Sequence, residues 1–460
     1  MARTNVRQVA ADPKTQTHEG APAARITPEQ ALRRSVMSCL LWENTFYEGG
    51  VEIGARIAQL AMALDPKVVA NIATEAREQM YLRHAPLWLV RAMVPKGGRL
   101  VGDTLARVIQ RPDELGEFLT FYWGGATRNQ NGTGKNIPLA KQVKRGLAMA
   151  LRKFDAYQLA KWDQGSAAVK LRDVIFLVHP KAKDAGQQEI WDKVVAGTLE
   201  SPETWEVMLS SGLDKKATFE TLLEQKKLGG LALLRNLRNM QQAGVDRALV
   251  ISAIDEHPFP RILPFRFLTA ARYAPDFEPV LERAMLRATA SLEKLGGKTA
   301  LLVDHSGSMQ ASLSQKSELS RFDAAAALAV LLREVCEDVD VITFSDDVVV
   351  VPARRGFGLI DAMTRSMHAS STMTEKAKRF ADVRGYDRII IVTDEQSHQA
   401  LSAPQSNRAY VINVAPYQNG IGYGRWNHID GWSENVVKWV AAYESEFDQT
   451  ISELTNELPV

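Results

Sequence analysis

The stretch Thr299-Ala-Leu-Leu-Val-Asp304-His305-Ser306-Gly307-Ser308 decides the fold of the second half of the chain. A short apolar run closed by a carboxylate and a Ser/Gly loop reads as a buried strand, because a helix would need ten or more residues of 3.6 periodicity. Downstream, helical length returns over 319–335. Further strands follow at 339–344, 348–351, Arg388–Thr393 and 409–414, with a last helix over 435–443. Strands alternating with helices predict an α/β domain with a doubly wound, mostly parallel sheet. Ligands of such sheets sit beyond the carboxyl ends of the strands, where Asp304, Ser306 and Ser308 fall. The run Arg388-Ile-Ile-Ile-Val-Thr-Asp394 puts a second carboxylate at another strand end, and Ser370-Ser371-Thr372 lies on the loop between. These are hard oxygen donors with few charges among them, which suits magnesium, an octahedral cation that keeps waters. The competing reading makes Asp304 a helix cap and the serines turn formers.

Upstream of Gly296 the punctuation is helical. Thr27-Pro28-Glu29-Gln30 combines an N-cap, a first-turn proline and a capping-box Gln, opening a helix through Leu32, Val36, Cys39 and Leu40. Asp65-Pro66, Arg111-Pro112-Asp113 and Ser201-Pro202 open others in the same way. Short amphipathic helices with little strand signal between them predict an all-helical, HEAT-like repeat array. Each pair buries its stripe only against neighbours, so small rotations accumulate into a ring or horseshoe. The expected organisation is a flexible segment over 1–26, a helical-repeat domain over 27–295 and the α/β domain over 296–460.

With 460 residues, 45% hydrophobic and 24% charged, the chain is too apolar for disorder and too long for one average domain. Its net charge of +2 hides an asymmetry: from Gly296 onward 15 basic side chains face 22 acidic ones, whereas residues 1–295 carry 41 against 32. The two cysteines, Cys39 and Cys336, lie in different halves in apolar helical settings, which fits a reducing compartment and argues against a disulfide framework or a cysteine zinc site. Apolar runs fall far short of the ~20 residues a membrane helix needs. The N-terminus lacks the apolar core of a signal peptide. A cytoplasmic protein is expected.

Between Arg128 and Arg172 the positive charge is dense: Arg128, Lys135, Lys141, Lys144, Arg145, Arg152, Lys153, Lys161, Lys170 and Arg172 face only Asp155 and Asp163. On a helix over 139–154, Leu139, Val143, Leu147, Ala150 and Phe154 form one stripe, leaving Lys141, Lys144, Arg145 and Arg152 opposite. Such a face neutralises phosphates or is simply solvated. The loop Trp123-Gly-Gly-Ala-Thr-Arg-Asn-Gln-Asn-Gly-Thr-Gly-Lys-Asn136 lets backbone approach a phosphate or sugar. It is not a P-loop, because Asn129 and Asn136 stand where a glycine and a Ser or Thr are needed. His179, before Pro180, reads either as a satisfied helix-end histidine or as a surface contact. Arg235, Asn236, Arg238 and Asn239 are phosphate or base donors, or braces between helices.

Asp-x-Ser-x-Ser after a strand, a later threonine and a strand-end Asp394 resemble the metal-ion-dependent adhesion site of von Willebrand factor A domains. The resemblance implies Asp304, Ser306, Ser308, Thr372 and Asp394 as ligands, with Thr374 a rival to Thr372. The helical part carries Lys170-Leu-Arg-Asp-Val-Ile-Phe-Leu-Val-His179-Pro180, Pro202-Glu-Thr-Trp205-Glu and Gly229-Gly-Leu-Ala-Leu-Leu-Arg235-Asn236-Leu-Arg238-Asn239-Met240. These segments resemble the TROVE module of Ro ribonucleoproteins, whose architecture is TROVE followed by a von Willebrand A domain.

The resemblance implies a binder rather than an enzyme: small noncoding Y-like RNA on the outer surface, single-stranded 3′ ends of misfolded RNA in a central hole, and RNA fed to an exoribonuclease. His179 corresponds to a histidine on the Y RNA surface. The expected RNA contacts are Arg128, Lys135, Lys141, Lys144, Arg145, Arg152, Lys170, Arg172 and His179. Magnesium is the expected cofactor, the expected state is monomeric, and neither DNA nor membrane is an expected partner. A second reading makes the protein a scaffold that captures an acidic partner through the metal site. RNA hydrolysis finds no support, since the eight histidines show no metal-type spacing such as His-Glu-x-x-His.

Overall fold

A computed structural model of the chain describes residues 11–37, 48–124, 138–163, 167–200, 204–210, 212, 214–260, 262, 264–290, 292–313, 319–415, 417–431, 436–437, 439–441 and 443–445. Arg128, Lys135, Cys39, most of the glycine-rich loop and the Ser201-Pro202 opening lie outside the described residues. The chain divides into two compact units: Ala31–Val36 with Glu52–Ser211, and Met1–Gln30 with Met37–Val51 and Gly212–Val460.

The first unit is helical. Its helices include Pro66–Glu78, His84–Met93, Arg99–Val108, Asp113–Gly124, Lys141–Leu151, Ala156–Trp162, Leu171–Val178 and Ala185–Ala196. Their starts are written in side chains that satisfy orphan backbone N–H groups. Asp65 accepts from the Lys67 amide at 2.7 Å ahead of Pro66, Asp155 forms a capping box with Gln158, and Asp184 accepts from the Gln187 amide. Gly197, left-handed at φ 68°, ends the last of these helices. The Thr27 box is formed too: the Thr27 amide donates to Gln30 Oε1 and the Gln30 amide to Thr27 Oγ1, opening helix Pro28–Met37. Packing follows the apolar stripe, with Val143, Leu147 and Ala150 fully buried. Helices Arg99–Val108 and Lys141–Leu151 approach unusually closely: a Cβ on Gly146 would sit 2.8 Å from the Gly102 carbonyl oxygen.

The second unit holds helices Lys215–Glu224, Gly230–Gln242, Arg247–Glu256, Pro264–Tyr273 and Glu278–Thr289 together with all the strands among the described residues. In chain order these are β1 (Ala11–Gln16), β2 (Pro22–Ala24), β3 (Leu295–Asp304), β4 (Cys336–Phe344), β5 (Val348–Val350), β6 (Arg388–Thr393), β7 (Arg408–Asn413) and β8 (Asn427–Asp430). Six form one sheet in the order β5-β4-β3-β6-β7-β8, parallel except at β4/β5. The chain leaves β3 toward β4 on one side and returns to β6 on the other, so the topological switch point lies between the carboxyl ends of β3 and β6. Helix Arg321–Val335 is buried along nearly its whole length, as an apolar run of that length requires. The free Cys336 is buried at the start of β4.

The hairpin β1–β2 is tied to the sheet's loops rather than to an apolar stripe. Thr17 Oγ1 donates to the Ser397 carbonyl at 2.8 Å, the His18 amide to Gln396 Oε1 at 2.7 Å, and the Ala24 amide to the Gly420 carbonyl at 2.9 Å. No described helix is long and apolar enough to cross a membrane.

Candidate nucleic-acid interface and metal centre

In the helical unit, Lys141–Leu151 and Leu171–Val178 pack against each other and carry most of the described basic candidates. Lys141 is exposed and Lys144 half-buried; among the described residues neither has an ion-pair partner. Arg145 differs. The Gly102/Gly146 approach brings the neighbouring helix within reach, and Arg145 Nη2 donates to Asp103 Oδ1 at 2.7 Å, so much of its charge is offset locally. Arg152 donates through Nε to the Lys181 carbonyl at 2.6 Å and braces the chain there. Lys153, which was not among the expected contacts, donates to the carbonyls of Ala106 and Ile109, and burial lowers its pKa.

On the next helix, Lys170 is half-buried at the N-cap, with its amide donating to Asp173 Oδ2 at 2.9 Å. Arg172 is exposed, its Nε 3.8 Å from Asp173 Oδ1, a contact worth little in open solvent. His179 caps the helix in the left-handed region at φ 48°. Its backbone N–H donates to the Ile175 carbonyl, while its exposed ring has no partner among the described residues. Sequence reasoning left out Phe176, a large apolar side chain 57% exposed. Spacings of four and three residues put Arg172, Phe176 and His179 on one helical face. The signal was available: Phe176 falls outside the buried stripe of Leu171, Val174 and Val178. A cation, an aromatic ring and an imidazole on one face can hold a phosphate and stack a base.

In the sheet unit, the strand-end residues converge at the switch point. Asp304 is fully buried; Oδ1 accepts from the Ser306 amide at 2.8 Å and Oδ2 from the Thr393 hydroxyl at 2.5 Å. Ser306 Oγ and Ser308 Oγ are 3.3 Å apart, and the Gly307 amide donates to the Ser370 carbonyl, joining this loop to the next. Asp394, also fully buried, faces Arg321 Nη1 at 3.3 Å. Burial and the neighbouring Asp394 push the Asp304 carboxyl up to about 7.

Thr372 is buried, its amide donating to His398 Nδ1 and its carbonyl accepting from the Ser397 hydroxyl. Thr374 opens helix Thr374–Asp382, and its buried hydroxyl has no hydrogen-bond partner among the described residues. His305 stacks on Phe322 with ring centroids 4.2 Å apart.

This donor set fits a hard divalent cation. Two buried, electrostatically coupled carboxylates, Asp304 and Asp394, stand at the switch point with hydroxyl oxygens beside them. No three described His, Cys, Asp or Glu side chains converge anywhere in a metal-binding group. A cation at this place would therefore be completed by hydroxyls and waters.

A neighbouring buried cluster was not foreseen. His428 on β8 lies between Glu395 Oε2, at 2.9 Å from Nε2, and Asp430 Oδ2, at 3.5 Å from Nδ1. Burial pulls its pKa down, but the two carboxylates outweigh that and raise it to about 9.

Residues 173–327 match the family model described as "TROVE domain". Telomerase protein component 1 of Rattus norvegicus is 36% identical over 89 residues, which is 17% of this chain and 3% of that protein. The Mus musculus protein of the same name is 34% identical over 110 residues, 22% of this chain and 4% of the relative. The chain thus spans less than a twentieth of the length of these curated relatives. The crystal structure of the Ro (RSR) protein of Deinococcus radiodurans superposes with a TM-score of 0.61 at 18% identity, covering 90% of this chain and 99% of that one. The segments that pointed to a TROVE module fall almost wholly inside the stretch that matches the family model, and the chain shares the fold of the Deinococcus protein: helical repeats followed by an α/β domain.

Proposed function

We propose that the protein is an RNA-binding ribonucleoprotein component that works by holding RNA rather than by cleaving it. The observation that carries this reading is the pair of packed helices that leaves Lys141, Arg172, Phe176 and His179 exposed and Lys144 half-buried. Phosphates would meet the cations and an unpaired base would stack on Phe176, a combination that selects single strands by shape and tolerates many sequences. The finer reading is that the ligands are small noncoding Y-like RNA and single-stranded 3′ ends of misfolded RNA, in cytoplasmic quality control or processing with an exoribonuclease as partner. The TROVE match and the Ro fold support it.

In the α/β domain, magnesium would be held by Asp304, Ser306, Ser308 and Asp394, with the orphaned Thr374 hydroxyl as rival to Thr372 for the remaining protein position. When bound, the cation would neutralise the paired carboxylates and fix the loops at the switch point. The protein's own part is to bury those carboxylates and to orient Asp304 through the Thr393 hydroxyl and the Ser306 amide.

Filter binding with a single-stranded RNA at low salt tests the function. Tight binding that weakens as salt rises is expected. No binding, or binding indifferent to salt, overturns the reading.

A further inference from the structure

Helices Gly230–Gln242 and Pro264–Tyr273 of the second unit pack together and leave a cavity of about 320 Å³ between them. Arg235 and Arg238 reach it from the first helix and Arg266 from the second, with Leu231, Asn239 and Tyr273 also on its wall. No carboxylate lines it, and none of the three guanidinium groups has an ion-pair partner among the described residues. Other arginines of the same unit are matched: Arg272 with Asp323, Arg283 with Asp255, Arg321 with Asp394 and Arg388 with Glu444. The two asparagines of this segment behave differently from its arginines. Asn236 donates to the Ala232 carbonyl and Asn239 to Asn236 Oδ1, so they brace the helix while Arg235 and Arg238 stay exposed. Partial enclosure first, and the charge of Arg235 after it, lower the Arg266 pKa. The Arg238 guanidinium lies 5.8 Å from the centroid of the Tyr273 ring, itself 39% exposed.

We propose that this cavity takes the phosphorylated end of a single-stranded RNA, the arginines clamping the terminal phosphate and Tyr273 stacking on the adjoining base. Three cations around one cavity exceed what a singly charged phosphodiester needs and suit a terminal monoester, whose charge approaches two. Guanidinium forks match its oxygens, and the aromatic wall takes a base without reading its sequence. The proposal rests on the RNA reading above.

The test is fluorescence anisotropy on the full chain with one short single-stranded RNA bearing a 5′-phosphate, a 3′-phosphate or hydroxyls at both ends. Charge-assisted hydrogen bonds of this kind predict about a tenfold gain for one phosphorylated end. Arg238→Gln and Arg266→Gln should each remove that gain and leave the hydroxyl-ended RNA bound as before. Inorganic phosphate should compete with the gain alone. Equal binding of all three RNAs, or a gain that survives both substitutions, would overturn the proposal while leaving the RNA reading intact. Failure of all three RNAs to bind would sink both. Arg238 is exposed, so its replacement does not endanger the fold, and an unchanged melting temperature confirms that a lost gain belongs to the site.

Discussion

Removing Lys141 and Lys144 together should change how RNA binding responds to salt. The cations offered by the two packed helices are Lys141, Lys144, Lys170 and Arg172; Arg145 is left out because Asp103 already holds it at 2.7 Å. Each phosphate neutralised on a single strand contributes about −0.7 to the slope of log K against log salt, so four give roughly −2.8. A rise from about 50 to 200 mM salt should then weaken binding on the order of 50-fold. The variant Lys141→Gln/Lys144→Gln halves the slope to about −1.4, and the same rise costs only about sevenfold. Filter-binding titrations of one single-stranded RNA at three salt concentrations measure both slopes. Phe176→Ala should lower affinity by about 1–3 kcal/mol at every salt without altering the slope, because stacking releases no counterion. The reasoning fails if the double variant keeps the wild-type slope. It fails equally if Arg145→Gln lowers the slope as much as either lysine does, since a paired arginine has little free charge to offer.

Three further outcomes follow from the buried polar groups. His428, raised from 6.5 to about 9, stabilises the fold fully below pH 6.5, and that contribution, on the order of 3 kcal/mol, is lost as pH rises through 9; urea midpoints at pH 6, 8 and 10 should fall in the wild type and stay flat in His428→Asn. Glu114→Gln leaves Arg77, 2.6 Å away and buried, without its countercharge and should cost about 3–5 kcal/mol, whereas Arg77→Met/Glu114→Leu should cost far less by thermal denaturation. Magnesium at a hundredfold excess over its dissociation constant should stabilise the wild type by about 2.7 kcal/mol and leave Asp304→Asn unmoved, as read by melting temperature; an equal shift in both would remove the metal from Asp304.

The parts of the fold visible in sequence are those whose cause is local. The Thr27 capping box, the Asp65-Pro66 opening and the strand ending at Asp304 each depend on residues within one turn or one strand. Strand β8 was missed because Asn427, His428 and Asp430 are polar, and His428 and Asp430 are satisfied by Glu395 and Asn413, partners 33 and 17 positions away that no periodicity reveals. The β1–β2 hairpin escaped for the same reason, its bonds running to Gln396, Ser397 and Gly420. At the candidate interface, a charge count over neighbouring positions could not see Asp103, which a helix earlier in the chain brings to Arg145 through two facing glycines. Phe176 was hidden because it sits within the continuous apolar run from Val174 to Val178, although its position off the buried stripe marks it as exposed.

The most direct test of the account is ultraviolet crosslinking in cells, followed by purification of the protein, mapping of any modified peptide and sequencing of any attached RNA. The account predicts nucleotides on the peptide containing Phe176 and His179, with single-stranded regions at the attached positions. Protein recovered without RNA, or a helix Leu171–Val178 free of crosslinks while other segments carry them, would contradict it.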